Sequence, residues 1–463
     1  MPDTVLSMIF SKCGSSFKYI APQAVFVKSI CAVCHHWRTV ALNTPTLWCD
    51  IVMDAGALTP RVRAYLERSK NTPLFFQLHA ENVEKLWSAQ HYKRWFDSLA
   101  PHLLRCNIFC LFTSSHETAQ KIFPLKVPMP ELWQIAWDGQ DPTRSDPSPP
   151  PSPTSITLVD DSVGAEITAL DLNALHAPVQ IQYDEKITSK LKHLRLRDFA
   201  GTPHKDVVDL VARCPNLKTL NWVNDLGEGD SASRDLTALT STSLQVVRLS
   251  LAQSGTPDAP LYNNMSFPAL RNLVIVAGSG SSVWADPIIV VDSETKKPRF
   301  PELVTVWLSH RVFSPSAIAD FLIAHPSVEA LGSRLDWSTP GVFHMLCGPV
   351  SLSPWKEQFP KLKYFYVMKA SADVYYPDGA NQTKECVQAM VTAITGLINA
   401  YGGYEQAKED ELLIQLNDES WGSSDATPDT SYEKLKETFP EVIKLSHDEN
   451  CVPNYFQPKL LMW

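Results

Sequence analysis

Two short runs of the sequence hold residue types that could do chemistry. Cys31-Ala32-Val33-Cys34-His35 has the spacing of a c-type haem attachment sequence, and its thiols and imidazole are also zinc ligands. Haem attachment needs an oxidising compartment, and the N-terminal residues do not predict a secretory signal. Zinc would need a second ligand pair, and Cys49 alone does not supply one. We therefore expect this run to form a helix face.

The second run, Ala277-Gly278-Ser279-Gly280-Ser281-Ser282, follows an apolar strand in the way that a phosphate-binding loop does. It lacks the lysine of a P-loop, and the residues after it do not begin a convincing helix. The sequence contains no nucleophile elbow and no histidine–glutamate zinc helix. We therefore expect no catalytic residues, no cofactor, no metal and no enzymatic activity. A hydrolase with an unrecognised site is a distant alternative.

The composition excludes some partners. The chain has 463 residues, of which 44% are hydrophobic and 20% charged, and its net charge is −9. Nucleic acids and anionic membranes are bound through clustered Lys and Arg, which the sequence lacks, so we expect neither as a partner. No window approaches the roughly 20 apolar residues that cross a bilayer. The ten cysteines are scattered, which is typical of reduced thiols in a cytoplasmic or nuclear protein.

The first 50 residues predict helices. Apolar residues recur at helical spacing in two stripes, and Thr44-Pro45 predicts an N-cap and first helical residue before Leu47 and Trp48. The stripes are Val5, Leu6, Ile9, Phe10 and Cys13, and then Ile30, Val33, Cys34, Trp37 and Ala41.

From residue 100 onwards an apolar-x-x-apolar-x-apolar pattern repeats. Its copies are Leu132-Ile135-Trp137, Ile167-Leu170-Leu172, Leu191-Leu194-Leu196, Leu217-Leu220-Trp222, Leu244-Val247-Leu249, Leu270-Leu273-Ile275, Leu303-Val306-Leu308 and Leu362-Phe365-Val367, with weaker copies at Leu103-Cys106-Ile108 and Val328-Leu331. The first positions 167, 191, 217, 244 and 270 are 24, 26, 27 and 26 residues apart. Alternating strands and helices at this period are typical of a leucine-rich-repeat solenoid.

Other features refine this prediction. A proline stands two residues before six copies, where it ends a helix and sets an extended entry to the strand. These prolines are Pro130, Pro215, Pro268, Pro301, Pro326 and Pro360. The Asn or Cys expected eight positions after the first leucine is missing, so the array should be irregular. A helix from Val387 to Tyr401, closed by Gly402-Gly403, and a strand at residues 411–416 predict a C-terminal cap.

The N-terminal segment resembles the F-box motif. The resemblance rests on Met1-Pro2-Asp3-Thr4-Val5-Leu6, Val33-Cys34-His35-His36-Trp37-Arg38 and Leu47-Trp48. The segment from Trp37 to Trp48, and Leu66-Glu67-Arg68-Ser69 before Pro73-Leu74, are similar to the large fungal F-box families.

The resemblance implies a helical module that binds the Skp adaptor subunit of a cullin-RING (SCF) ubiquitin ligase and recruits an unknown protein substrate. The residues in or just under that interface would be Pro2, Leu6, Ile9, Val33, Cys34, Trp37, Leu47 and Trp48. So short a helical segment cannot bury two apolar stripes and two tryptophans alone, and large aromatic anchors suit a desolvated interface. Two alternatives remain: a helical cap on the repeats, and a repeat-based interaction scaffold without a ligase role.

If the repeats stack, residues alternating with the inward leucines line the exposed strand face. That face would hold His193, Arg195, Arg197, Arg248, Trp307, Tyr364 and Tyr366. A basic centre with aromatic neighbours would suit an acidic or phosphorylated substrate segment.

The predicted fold class is α/β, with an N-terminal all-helical F-box followed by an irregular strand–helix solenoid of leucine-rich repeats. The predicted domains are residues 1–52 (F-box), 53–100 (connecting helices and strand), 101–380 (solenoid, with a disordered Pro/Ser-rich loop at 141–153) and 381–463 (cap).

Overall fold

The structure is a computed structural model, and its contacts divide the chain into two compact units, Met1–Leu217 and Lys218–Trp463, which are described separately. The described residues are 1–15, 20–54, 59–80, 89–113, 115–123, 125–139, 154–159, 163–173, 179–182, 185–197, 204–223, 239–251, 265–277, 298–308, 315–335, 359–369, 391–417 and 430–446. The predicted loops at 141–153 and 278–282, and residues 387–390 of the predicted C-terminal helix, lie outside them.

The chain begins with helices, as the apolar spacing predicts, but the predicted stripe from Ile30 to Ala41 and the predicted helix face at Cys31–His35 are divided between two helices, because Cys34 is extended. The helices are α1 (Asp3–Ser15), α2 (Ile20–Val33), α3 (His35–Leu42) and a 3-10 helix (Pro45–Trp48). Thr44 is the N-cap residue of the 3-10 helix, as predicted, but its hydroxyl donates backwards to the Val40 carbonyl at 2.8 Å. Cys34 caps α3, because its Sγ accepts the amide of Trp37 at 3.4 Å.

The rest of the first unit alternates strands and helices. Its strands are β1 (Asp50–Asp54), β2 (Leu74–His79), β3 (Cys106–Phe112), β4 (Gln134–Asp138), β5 (Thr154–Thr157), β6 (Ala169–Asn173), β7 (Val179–Gln182) and β8 (His193–Arg197). Its further helices are α4 (Pro60–Arg68), α5 (Ala89–Leu103), α6 (His116–Ile122), α7 (Glu185–Lys190) and α8 (His204–Ala212). The six strands β1-β2-β3-β4-β6-β8 form a parallel sheet in this order, and β5 pairs with β7 separately.

The second unit continues in the same style. Its strands are β9 (Thr219–Val223), β10 (Leu239–Thr240), β11 (Val246–Leu251), β12 (Met265–Ser266), β13 (Asn272–Ala277), β14 (Thr305–Leu308), β15 (Ala330–Leu335), β16 (Tyr364–Lys369), β17 (Leu413–Asn417) and β18 (Ile443–Ser446). Eight of them pair in parallel in chain order, and β10 pairs with β12. Its helices are Pro315–Ala324, residues 391–400, Tyr404–Glu409 and Thr430–Thr438.

Fourteen strands, six in the first unit and eight in the second, thus belong to parallel sheet, and the predicted mixed α/β class is confirmed. The predicted apolar pattern sets the register. Ile135 of β4 pairs with Leu170 of β6, which pairs with Leu194 of β8, and all three are buried. Along each strand, the side chains that alternate with these buried residues stand on the other face of the sheet, as strand geometry requires.

The weak copy at Leu103-Cys106-Ile108 is wrong by three residues. Phe109 and Leu111, not Cys106 and Ile108, pair with the buried Ile135 and Trp137 of the next strand. The error arose because β3 has apolar residues on both faces, so that its alternation does not distinguish the buried one.

The proline-marked copies share a turn, which is more specific than the extended entry that we expected. In Cys214-Pro215-Asn216-Leu217 the amide of Leu217 donates to the carbonyl of Cys214 at 3.1 Å, with proline at the second turn position that it favours. The same bond closes the turns Met129–Leu132, Phe267–Leu270, Phe300–Leu303, His325–Val328, Phe359–Leu362 and Phe439–Val442.

Sheet strands also extend beyond the predicted solenoid. β1 starts at Asp50, and β17 and β18 lie in the predicted cap at 381–463. Gly402 and Gly403 follow the helical residues 391–400 with φ of 115° and 90°, as a glycine helix end predicts.

Candidate functional site

The N-terminal helices have a buried side. Leu6 and Phe10 of α1 pack against α2, α3 and the 3-10 helix. The cluster consists of Leu6, Phe10, Val27, Ile30, Val40, Ala41, Leu47 and Trp48. Leu6 and Phe10 are four residues apart, so they project from the same face of α1.

Other apolar side chains of this N-terminal segment are exposed to solvent. Eight large hydrophobic side chains are exposed among the described residues, and six of them lie within residues 1–33. The six are Met1, Val5, Met8, Ile9, Val25 and Val33. Pro2 and Cys34 are also exposed. Large exposed apolar patches mark interaction sites more often than scattered single residues do.

Contacts between helix ends bring part of this set together. Asp3 at the start of α1 approaches His36 at the start of α3, with 3.5 Å between Oδ1 and Nε2. The Nε of Arg38 donates to the carbonyl of Cys31 at 2.8 Å and fixes the junction of α2 and α3. The first turn of α1 and the Val33–Cys34 junction therefore lie at one corner of the helical segment.

The two tryptophans have different surroundings. Trp37 is half-buried, and its ring packs edge-on against Phe10 with 5.2 Å between centroids. Trp48 is only 4% exposed, and its Nε1 donates to the carbonyl of Ala41 at 2.9 Å. Tyr65 of α4 lies edge-on to Trp48 at 4.9 Å.

The chain itself thus covers Trp48, and the expectation that both tryptophans need another subunit is wrong for this one. The reason is that α4 follows closely after the 3-10 helix and supplies the missing cover. Of the predicted interface residues, Pro2, Ile9, Val33 and Cys34 are exposed and Trp37 is partly so, whereas Leu6, Leu47 and Trp48 lie beneath. The prediction left out Val5 and Met8. Val5 belongs to the predicted apolar stripe, of which α1 buries Leu6 and Phe10 and leaves Val5 and Ile9 exposed.

The cysteine run has a structural part in this arrangement. The backbone carbonyl of Cys31 accepts the hydrogen bond from Arg38, and Cys34 is the N-cap residue of α3. Burial raises the pKa of the Cys31 thiol, while the charges of Arg68 and Arg38 act against that rise. In the parts of the chain that the structure describes, no group of three or more His, Cys, Asp or Glu side chains could hold a metal ion.

The strand face of the first unit is less basic than predicted. Arg195 of β8 stands beside Asp171 of β6, with 3.3 Å between Nη1 and Oδ2. The side chains of this pair are 19% and 14% exposed, respectively. Burial raises the pKa of Asp171, while the charges of Arg195 and Arg197 oppose the rise; burial also lowers the pKa of Arg195.

Arg195 is therefore an ion-pair partner rather than a free cation. In the strand register Arg197 stands beside Asn173, and His193 stands beside Ala169. Arg197 and His193 are both half-buried. The prediction considered the cations of this face and overlooked Asp171, although the alternation places it on the same side.

The strand face of the second unit is more closed than predicted. Trp307 is 8% and Tyr366 1% exposed, and their rings meet at 5.4 Å, so the expected exposure of both is wrong. In the register Gly332 lies between them, and its missing side chain lets the two wide rings touch. Tyr364 packs on the same cluster and is half-buried, as is Arg248 on β11.

No helix among the described residues is both long and apolar enough to cross a bilayer. A scan against models of protein families finds no match. A search of curated proteins finds no significant similarity.

Proposed function

We propose that this chain is an F-box substrate adaptor, which binds the Skp subunit of a cullin-RING ubiquitin ligase through its N-terminal helices. The observation that supports it best is that six of the eight large hydrophobic side chains exposed among the described residues lie within residues 1–33. A globular chain gains nothing by leaving such side chains in water, whereas an obligate interface removes them from it.

The docking surface in this proposal is made of Pro2, Val5, Ile9, Val33 and Cys34, with the exposed part of Trp37 at its edge. Leu6, Leu47 and Trp48 support it from beneath. Fully covering side chains as exposed as Ile9 (42%) and Val33 (59%) contributes about 1 kcal/mol or more each.

The remainder of the chain acts in this proposal as an irregular leucine-rich-repeat solenoid. The repeated proline turn and the chain-order parallel strands support that assignment, because each strand–helix repeat then buries its apolar face against the next repeat. The substrate would contact the strand face. With Arg195 paired to Asp171, that contact would depend less on a basic centre than the sequence suggested.

The test is co-purification of the Skp adaptor with the full chain. Replacing Ile9 and Val33 with Asp should abolish co-purification, because each change places a charge at a desolvated contact. Ile323→Asp is the matched control: Ile323 is 52% exposed but lies on the helix Pro315–Ala324, so capture should persist. Both variants should keep their helical circular dichroism.

The alternative is a repeat-based interaction scaffold without a ligase role. The cover of Trp48 by its own chain favours it, because a helical cap would seal its aromatic side chains in this way. Failure of the wild-type chain to retain the adaptor under conditions where a known F-box protein does so would support this alternative and reject the proposal.

A further inference from the structure

A groove in the first unit lies outside the docking surface proposed above. It has a volume of about 610 Å³ and is bounded by α2, α3 and α4. Its apolar lining includes Val25, Val27, Leu42, Trp48 and Tyr65. The size falls within the range of grooves that bind small ligands or a few residues of a peptide.

Four cations surround this lining: Lys28, Arg38, Arg61 and Arg68. The guanidinium of Arg68 lies 4.6 Å from the centroid of the Trp48 ring, and that of Arg61 lies 5.5 Å from the Tyr65 centroid. Such cation–π contacts hold guanidinium groups in place without neutralising them. Arg38 is held by its bond to the Cys31 carbonyl.

No acid compensates these cations among the described residues. Those that line the groove include neither Asp nor Glu, and none of the four cations forms an ion pair with another described residue. The chain as a whole has a net charge of −9, so these four cations form a local positive region on an acidic protein. Uncompensated guanidinium groups held at an apolar floor match carboxylates, which they bind in forked pairs.

We propose that the groove binds an acidic segment of a partner protein, with an apolar side chain on the floor and flanking carboxylates at the cationic rim. The apolar lining favours such a segment over a compact polyanion, which would gain nothing from the leucine and aromatic surfaces. The groove shares Trp48 with the support of the docking surface, but its lining includes none of Pro2, Ile9 and Val33. The variants below leave Trp48 in place, so this proposal and Skp docking can fail independently.

The probe is a fluorescent acidic peptide with one central phenylalanine, titrated with the full chain and followed by anisotropy. Lys28→Glu combined with Arg61→Glu should weaken binding at least about tenfold, since two charge-assisted contacts become repulsive. The control is Arg63→Glu, which reverses one charge on an exposed arginine of α4 that does not line the groove, and it is compared with Arg61→Glu alone as well as with the double change. It should change the affinity less than about threefold.

Two further arms examine the nature of the occupant. Replacing the peptide's phenylalanine with serine should weaken binding, and inorganic tripolyphosphate should compete poorly. The proposal is rejected if the wild-type chain does not bind the peptide, if Arg63→Glu weakens binding as much as the double change, or if tripolyphosphate displaces the peptide at equal concentration. Co-purification of Skp with the double variant is recorded separately and bears on the proposed function alone.

Discussion

At the scale of single residues, the position before each turn proline is informative. It is buried in the first six turns and is occupied by Met129, Cys214, Phe267, Phe300, His325 and Phe359. His325 is the exception in chemistry. Its Nδ1 donates to the Phe321 carbonyl at 2.9 Å, while its Nε2 is buried without a hydrogen-bond partner among the described residues.

Burial lowers the pKa of His325, and the hydrogen bond to Phe321 only partly opposes this. The folded chain therefore resists a proton that the unfolded chain accepts below its ordinary pKa of 6.5. The stability that neutral His325 supports is full above that value. It declines as the pH falls through 6.5 towards the lower pKa of the folded state, and then levels off.

We expect His325→Phe to stabilise the second unit by about 1 kcal/mol at pH 7.5, because an orphaned buried nitrogen is replaced by the residue type that neighbouring turns use. The gain should grow at pH 5.5, where the wild type loses stability and the variant does not. Thermal unfolding at the two pH values measures this, with His325→Ala as a destabilised contrast. A gain that shrinks at pH 5.5 would contradict the assignment.

At the scale of elements, much was predictable from the sequence. The apolar pattern located the strands of the repeat region, because a buried strand face must alternate. It could not determine how the other face packs. Trp307 and Tyr366 stand on that face as predicted, yet they bury each other, because the intervening strand contributes Gly332. Contact between residues so distant in sequence depends on strand pairing, which periodicity does not contain.

Substitutions at Gly332 test whether the two rings depend on its missing side chain, because the two possibilities predict stability changes of opposite sign. In an ordinary strand, Gly332→Ala and Gly332→Val should stabilise, because glycine weakens strands and valine favours them. Here we expect destabilisation that grows with side-chain size, reaching about 1–3 kcal/mol for valine, because the new atoms separate two packed rings. Urea denaturation followed by tryptophan fluorescence measures it. A stabilised valine variant would show that the rings do not depend on the gap.

At the scale of the whole molecule, the predicted domain boundary at residue 52 falls inside a strand. β1 spans Asp50–Asp54 and pairs with β2, and Trp48 is covered by Tyr65 and Arg68 of α4. The contact-based division falls at residue 217, within the repeated strands. Motif resemblance marks the residues that share a function, whereas a folding boundary depends on which later element completes the core, and the motif does not specify that element.

A pair of fragments tests this interdependence. Residues 1–52 lack α4 and β2, so the Trp48 ring and the edge of β1 lose their partners, and a segment of that length buries too little apolar surface to fold alone. We expect this fragment to show helical far-ultraviolet but no near-ultraviolet circular dichroism. Residues 1–80 should recover a near-ultraviolet tryptophan signal, since Tyr65 and Arg68 then pack on Trp48. Tyr65→Ala in the longer fragment should lose that signal again, because it removes the ring that lies 4.9 Å from Trp48. A fully folded 1–52 fragment would instead mean that the helical segment is independent of α4.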